Sequence, residues 1–134
     1  MVQVSVKYTG ELHCDATHGP SRAKISTDAP SDNKGKGEAF SPTDMVATSL
    51  ATCMLTIMGI MARNKEVNIQ GATAEITKVM GTEPRRIIRI EIKFNMPKVG
   101  IDEHTQELLQ RAAKTCPVAK SIHPDIEQVV EFFW

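Results

Sequence analysis

The feature that most constrains the fold is a long stretch without charge near the middle of the chain. Met45 to Ala62 contains no acidic or basic residue, and its length touches the lower limit for a membrane-spanning helix. Several polar or small residues dilute its apolar character, and no second segment of this kind exists. Short strand-like segments also flank it on both sides. We therefore predict a helix buried on most faces of a soluble core, with no membrane partner.

The start of this helix is well marked. Ser41 is a favourable N-cap, Pro42 suits the first helical position, and Asp44 is placed to reach back as the acid of a capping box does. These residues predict that the helix begins at Pro42.

Length and charge narrow the class of protein. A chain of 134 residues fits a single domain over residues 1–134, and 16 basic against 16 acidic residues imply no nucleic-acid partner. The amino terminus lacks the order of a secretory signal, so we expect a cytoplasmic protein. The three cysteines, an odd count without disulfide spacing, should then be thiols.

Alternating apolar residues predict strands on both sides of the helix. Val2 to Tyr8 and Leu12 to Ala16 indicate a hairpin, a short extended run follows from Arg22, and residues 28–40 form a glycine-rich loop. After the helix, residues 67–81 and the alternating series Ile88, Ile90, Ile92 and Phe94 indicate two paired strands, each with one wet face.

The carboxyl-terminal third adds helix and strand. Asp102 opens an amphipathic helix to about Thr115, whose apolar side is formed by Leu108, Leu109, Ala112 and Cys116. Pro117 ends or kinks it, one further turn follows, and residues 125–134 predict a last strand. Because hairpins join consecutive strands, α+β fits better than a doubly wound parallel sheet.

Cys53 is the central candidate for chemistry. A cysteine in an apolar helix is commonly a small buried hydrophobe, and a functional thiol needs a nearby cation or helix amino terminus. Cys53 lies about three turns beyond the cap, where the helix dipole gives little help. Any cation must come from another part of the fold, so local reasoning leaves Cys53 as either a packing residue or a reactive thiol.

Cys116 stands where a helix meets a proline, within "TCPVAKSIHPDI". A thiol at such a junction is open to a partner, and it could resolve an oxidised Cys53 if the two were within disulfide range. Helix-end packing is the alternative.

The other candidate residues give weaker evidence for a functional site. Cys14 and His18 complete no metal-ligand spacing, and His104 and His123 stand singly near helix or loop ends. The "NKGKGE" loop lacks the spacing of a phosphate loop. We expect no metal and no resident cofactor.

The "SPTD" helix start, the helical cysteine about ten residues later and "CPVAKSIHPDI" together resemble the OsmC and Ohr family of thiol-dependent hydroperoxide reductases. The resemblance covers nearly the whole chain and looks closest to the OsmC-like branch. It implies an OsmC-like fold of antiparallel strands around long central helices, in an intertwined homodimer with active sites at the subunit interface.

The resemblance also implies roles. Cys53 would be the peroxidatic thiol that attacks an organic hydroperoxide, Cys116 would resolve it through a disulfide, and an external dithiol protein or small thiol would reduce that disulfide. Leu50, Met54 and Ile57 would line the substrate pocket.

Two departures concern the cation. In the peroxidases an arginine holds the thiolate and a glutamate anchors that arginine; the glutamate position here is Thr43. Asp44 is the nearest carboxylate, and it either caps the helix or anchors the arginine. Arg22 or His18 could face Cys53, and the permanent charge of Arg22 favours it.

Two functions therefore remain. The first is a cytoplasmic peroxidase of the oxidative stress response that reduces organic hydroperoxides. The second is a non-catalytic, redox-responsive or small-ligand-binding OsmC-like dimer, which Thr43 at the glutamate position supports.

Overall fold

A three-stranded antiparallel sheet forms the first part of the chain. The computed structural model describes residues 1–134, which divide into two units, Met1–Val46 and Ala47–Trp134. The first unit contains β1 (Val4–Gly10), β2 (His13–His18) and β3 (Lys24–Asp28), in the order β1-β2-β3. The predicted hairpin is confirmed, although Leu12 lies in the two-residue turn before β2 with a φ of 64°.

The pairing register places the apolar residues of this sheet on one face. Tyr8 is opposite Cys14, Val6 is opposite Ala16, and Ala16 is opposite Ile25. Because side chains alternate between faces along a strand, these residues all point the same way. Val6 is 68% exposed and Tyr8 62% exposed, so this face is open in the single chain.

The central helix is α1 (Pro42–Asn64), which begins where the sequence predicts. Its buried residues recur every three or four positions, as expected for one helical face: Ala47, Leu50, Ala51, Met54, Met58 and Ala62. By length and composition α1 could cross a membrane, and a core helix of a soluble protein has the same properties. Only 33% of its most apolar stretch is buried within this chain.

The second unit carries a sheet of three strands beside helices. It contains β4 (Thr73–Thr82), β5 (Arg85–Asn95), α2 (Glu103–Ala113), α3 (Pro117–Ser121) and β6 (Glu127–Phe133), with the strand order β4-β5-β6. Its core includes residues at most 1% exposed from α1, β5 and α2: Leu50, Met54, Met58, Ile90, Ile92, Phe94 and Leu109. The fold is therefore α+β, as predicted.

Two details of this sheet differ from the prediction. β6 pairs with β5 in parallel, so the strands are not all antiparallel. A chain that leaves β5 and returns through a helical crossover can re-enter the sheet in the same direction, which a hairpin cannot do. At the other end of β5, the register shifts beside Val79, where Ile87 is buried and Ile88 is 43% exposed. Because of this bulge, the buried alternating series runs back from Ile90 to Ile87, and Ile88, which the sequence placed in that series, is exposed instead.

Helix α2 is shorter than predicted. Asp102 is its N-cap and accepts a hydrogen bond from the Thr105 backbone N–H, which confirms the predicted start. The helix ends at Ala113, so Cys116 lies beyond it, at the start of the turn that becomes α3. Leu109 and Ala112 are buried as expected, whereas Leu108 is half-buried.

Candidate functional site

The site is built around two thiols of the second unit. Cys53 lies on α1 and is partly exposed, whereas Cys116 is fully buried. Cys116 is the N-cap of α3, and its Sγ accepts a hydrogen bond from the Ala119 backbone N–H at 3.3 Å. Pro117 occupies the first position of α3, where its missing N–H costs nothing. The proline break predicted from sequence thus fixes the Cys116 side chain.

The two thiols interact with each other. Burial is the main cause that raises the pKa of Cys116, and a hydrogen bond and charge interaction with Cys53 raise it further. The Ala119 N–H opposes these effects by lowering the pKa. Cys116 is therefore held as a protonated thiol that can donate its S–H to the Cys53 sulfur. The fold brings these two cysteines together although 62 residues lie between them in the sequence.

An apolar groove lies along the helices that lead to both cysteines. It encloses about 380 Å³ and is lined mainly by α1 and α2, through Ile57, Ile60, Met61, Asn64, Leu108, Arg111, Ala112 and Thr115. Ile57 is four residues after Cys53 and Thr115 directly precedes Cys116. Of the three predicted pocket residues, only Ile57 lines this groove. Leu50 is fully buried in the core and does not line this groove.

A second cavity of about 330 Å³ is lined by Met54, Lys114, Gln128 and Val130. Met54 is only 1% exposed, yet it borders this space together with a cationic residue two positions before Cys116. Sequence reasoning missed Lys114, since a lysine at a helix end is an ordinary feature of helix termini.

The predicted cation lies in the first unit. Arg22 occupies an exposed turn with a φ of 60°, and its backbone N–H donates to the His18 carbonyl at 2.9 Å. His18 Nδ1 lies 2.6 Å from the Ser21 hydroxyl within the same turn. Arg22 and Cys53 belong to different units, so the pairing of the guanidinium, or of His18, with the Cys53 sulfur stays a prediction.

Asp44 takes part in the helix cap. Its Oδ2 accepts from the Ser41 backbone N–H at 2.8 Å, and Ser41 Oγ accepts from the Asp44 N–H at 3.1 Å. This reciprocal pair is a capping box with aspartate in the acidic position, which confirms the capping interpretation. Thr43 Oγ1 lies 3.1 Å from Ser41 Oγ in the same cap. Anchoring of an arginine by Asp44 stays a prediction.

The remaining candidate residues take no part in the thiol pair. Cys14 is on β2, opposite Tyr8 on the apolar face of the first sheet. His123 Nδ1 lies 3.3 Å from the Arg86 guanidinium and accepts from the Asp125 N–H, so it belongs to an exposed polar cluster. His104 lies in the first turn of α2 and is exposed.

Comparison with known proteins places this arrangement in a family. A family model described as OsmC-like protein matches residues 35–131, which is most of the chain. The chain belongs to the OsmC-like family. The match includes α1, both cysteines of the thiol pair, β4 and β5, and it ends within β6. No functionally curated protein sequence matches the chain significantly.

Solved structures agree with this membership. A Psychrobacter arcticus protein, provisionally assigned to the osmotic stress induced and detoxification response, is 54% identical, with 98% of this chain and 96% of that chain covered and a TM-score of 0.94. The organic hydroperoxide resistance protein OsmC of Legionella pneumophila is 15% identical, with coverage of 100% and 97% and a TM-score of 0.75. OhrB of Bacillus subtilis, also an organic hydroperoxide resistance protein, is 14% identical, with coverage of 98% and 97% and a TM-score of 0.69.

The two distant structures, at 15% and 14% identity, show that the chain shares their fold. OsmC-like proteins are generally soluble, which fits α1 as a core helix.

Proposed function

We propose that the protein reduces organic hydroperoxides through a Cys53–Cys116 thiol pair in the cytoplasm. The Cys53 thiolate attacks an oxygen of the O–O bond, which breaks. The alkoxide leaves as the alcohol after taking up a proton, and Cys53 becomes a sulfenic acid. The Cys116 thiol then attacks that sulfur and releases water, which leaves a disulfide. An external dithiol protein or small thiol restores both thiols, so no resident cofactor is needed.

The observation that carries this proposal is the interaction between the two sulfurs. Cys53 is partly exposed and reachable by a peroxide, while Cys116 is buried and has a raised pKa. A peroxidatic cysteine has to be accessible and act as the thiolate, whereas a resolving cysteine can remain protonated until the sulfenic acid forms. The two environments therefore divide the roles between Cys53 and Cys116.

The apolar groove supports an organic substrate over hydrogen peroxide. Ile57, Ile60 and Met61 present hydrocarbon along one side of it. An alkyl or aryl hydroperoxide can bury its organic group there, whereas hydrogen peroxide has no group to bury. We propose fatty-acid or aromatic hydroperoxides as substrates for this groove of about 380 Å³.

We further propose that the working form is a homodimer. The apolar face of the first sheet and two thirds of the apolar stretch of α1 are not buried within one chain. A second copy can cover both surfaces, because large exposed apolar patches are typical of interfaces. In such a dimer Arg22, with Asp44 as its anchor, would provide the cation for Cys53.

The test is peroxide consumption by the reduced protein. Cumene hydroperoxide should oxidise the parent and the Cys14→Ser control at the same rate, since Cys14 has no role in the proposed chemistry. Cys53→Ser should lower the second-order rate at least a hundredfold, and Cys116→Ser should react once with peroxide and stop at the Cys53 sulfenic acid, without an intramolecular disulfide, until an external thiol is added. A Cys53→Ser protein that consumes peroxide as fast as the parent would falsify the proposal.

Thr43 favours a second candidate, a redox-responsive or small-ligand-binding dimer without turnover. Thr43 stands where the resembled peroxidases have a glutamate, and its hydroxyl lies beside Ser41 in the helix cap. This candidate predicts that the thiol pair oxidises slowly with organic hydroperoxides and that dithiols sustain no catalytic cycle. The same assay therefore separates the two functions.

A further inference from the structure

A cluster of three metal-ligating side chains lies in the first unit, on β2, β3 and the loop that follows β3. His13 Nε2 lies 3.5 Å from Asp28 Oδ1 and 3.5 Å from Glu38 Oε2, and the three ligand atoms all lie within 4.8 Å of one another. From this cluster we propose that the protein binds one divalent transition-metal ion, best represented by Zn²⁺, at His13, Asp28 and Glu38.

The backbone builds the cluster from residues far apart in sequence. His13, the first residue of β2, is paired directly with Asp28, the last residue of β3. The loop after β3 then brings Glu38 back, because the Glu38 N–H donates to Asp28 Oδ2 at 2.9 Å and the Asp28 N–H donates to the Phe40 carbonyl at 3.1 Å. Two strand ends and one loop therefore converge on a single point.

Asp28 supplies a second observation that points to a ligand. Its side chain is 1% exposed, and Oδ1 is buried without a hydrogen-bond donor. His13 Nε2, at 3.5 Å, is too far for a good hydrogen bond. A buried carboxylate oxygen without a donor is costly, and a cation between it and the imidazole would satisfy it.

The distances suit a zinc-sized ion. Oxygen and nitrogen ligands about 2.0 to 2.2 Å from a tetrahedral Zn²⁺ lie roughly 3.3 to 3.6 Å apart. Both distances from His13 Nε2 lie in that range. One imidazole and two carboxylates are also a donor set that borderline transition metals accept, whereas Mg²⁺ and Ca²⁺ prefer oxygen alone. Glu38 is largely exposed, so water can complete the coordination.

The loop is shaped so that Glu38 reaches the cluster. Within "NKGKGE", Gly35 lies so close to the Ala29 carbonyl that a Cβ atom there would overlap it, and Gly37 has a φ of 66°. The glycines thus allow the loop to fold tightly against the residues that follow β3. Bound metal would fasten this loop, and with it the approach to the α1 cap at Ser41, onto β2 and β3.

The test is metal titration of the full-length, reduced and metal-free protein with Zn²⁺ and with Co²⁺. Calorimetry should give one Zn²⁺ per chain at this site. Glu38→Gln should weaken it at least tenfold, while the matched Glu11→Gln control, an exposed glutamate of the same unit, should bind as the parent does. Co²⁺ should give weak visible bands typical of nitrogen and oxygen ligands in parent and Cys53→Ser protein alike.

Asp28→Asn provides a second readout if it folds, as judged by circular dichroism, and it should also weaken binding at least tenfold. The proposal is overturned if Co²⁺ shows only an intense thiolate charge-transfer band that Cys53→Ser removes. It is overturned equally if Glu38→Gln binds as tightly as the parent, or if no ion binds. Loss of binding in Glu38→Gln or Asp28→Asn does not test peroxide reduction, because Cys53 and Cys116 belong to the other unit.

Discussion

The two sheets of the molecule have similar alternating sequence patterns but differ in how far their apolar residues are buried. In β5 of the second unit, Ile90, Ile92 and Phe94 alternate with charged residues and are completely buried. In β1 of the first unit, Val4 and Val6 alternate with polar residues in the same way and are largely exposed. Alternation therefore predicts a strand with one apolar face, but it does not predict what covers that face.

The same difference in burial separates the two thiols of the proposed chemistry from the proposed cation. Cys53 and Cys116 lie in the unit that completes a core within one chain, so their contact should not depend on assembly. Arg22 lies in the unit whose apolar face is open, so its proposed role beside Cys53 depends on what covers that face. Substitutions in the second unit should therefore lower the stability of the single chain, whereas substitutions on the apolar face of the first unit should weaken the dimer.

The largest effect is expected from the core of the second unit. Phe94 is fully buried and stacks on Phe132 with ring centroids 5.3 Å apart. Phe94→Ala should lower the free energy of unfolding by about 3 to 5 kcal/mol, from lost burial and the cavity left behind. Urea denaturation measures this loss. A change of less than about 1 kcal/mol would show that this core is not what holds the unit together.

The next effect concerns the open face of the first sheet. Val6→Lys places a charge on that face and should raise the dimer dissociation constant at least tenfold, which corresponds to about 1.4 kcal/mol. Sedimentation equilibrium measures the constant. Lys7→Gln, on the polar face of the same strand, is the matched control and should dimerise normally. If Val6→Lys dimerises like the control, another surface forms the dimer.

A smaller effect is expected where α1 begins. Ser41→Ala removes the hydroxyl that accepts the Asp44 N–H and should cost about 1 kcal/mol of stability. Thr56→Ala is the control, because its hydroxyl only bonds the Thr52 carbonyl on an exposed part of α1. Thermal unfolding followed by circular dichroism compares the two. Equal midpoints for both variants would mean that the capping box contributes nothing measurable.

The smallest effect appears only in acid. The Thr105 backbone N–H, followed by the Thr105 hydroxyl, lowers the pKa of Asp102 at the start of α2. Because the folded-state pKa is depressed, this cap stabilises the protein above the ordinary value of about 3.8 and is lost as the pH falls through the lower folded value. Asp102→Asn keeps a cap but should flatten the acid limb of a stability–pH curve. An unchanged limb would assign the acid sensitivity to other groups.

Much of this architecture could be predicted from local signals. Ser41, Pro42 and Asp44 marked the helix start, and Asp102 marked the next one, because caps act through residues adjacent in sequence. Ile88 was misplaced because a bulge is set by the pairing of two strands, which one strand does not reveal. The parallel pairing of β6 was missed for the same reason.

The site was less accessible to sequence reasoning than the fold. Local reasoning left Cys53 as either packing or a reactive thiol, and only the tertiary contact with Cys116 distinguishes its surroundings. Leu50 was placed in the pocket because it precedes Cys53 by three residues, but that helical face points into the core. The cluster of His13, Asp28 and Glu38 has no spacing motif, since strand pairing assembles it.

The central claim is that Cys53 and Cys116 form one redox pair, and the intact mass of the reduced protein after one equivalent of cumene hydroperoxide tests it most directly. We predict that the parent loses the mass of two hydrogen atoms, with a peptide map that links Cys53 to Cys116, while Cys116→Ser gains one oxygen on Cys53. An unchanged mass in the parent, or a disulfide that involves Cys14 instead, would contradict the account.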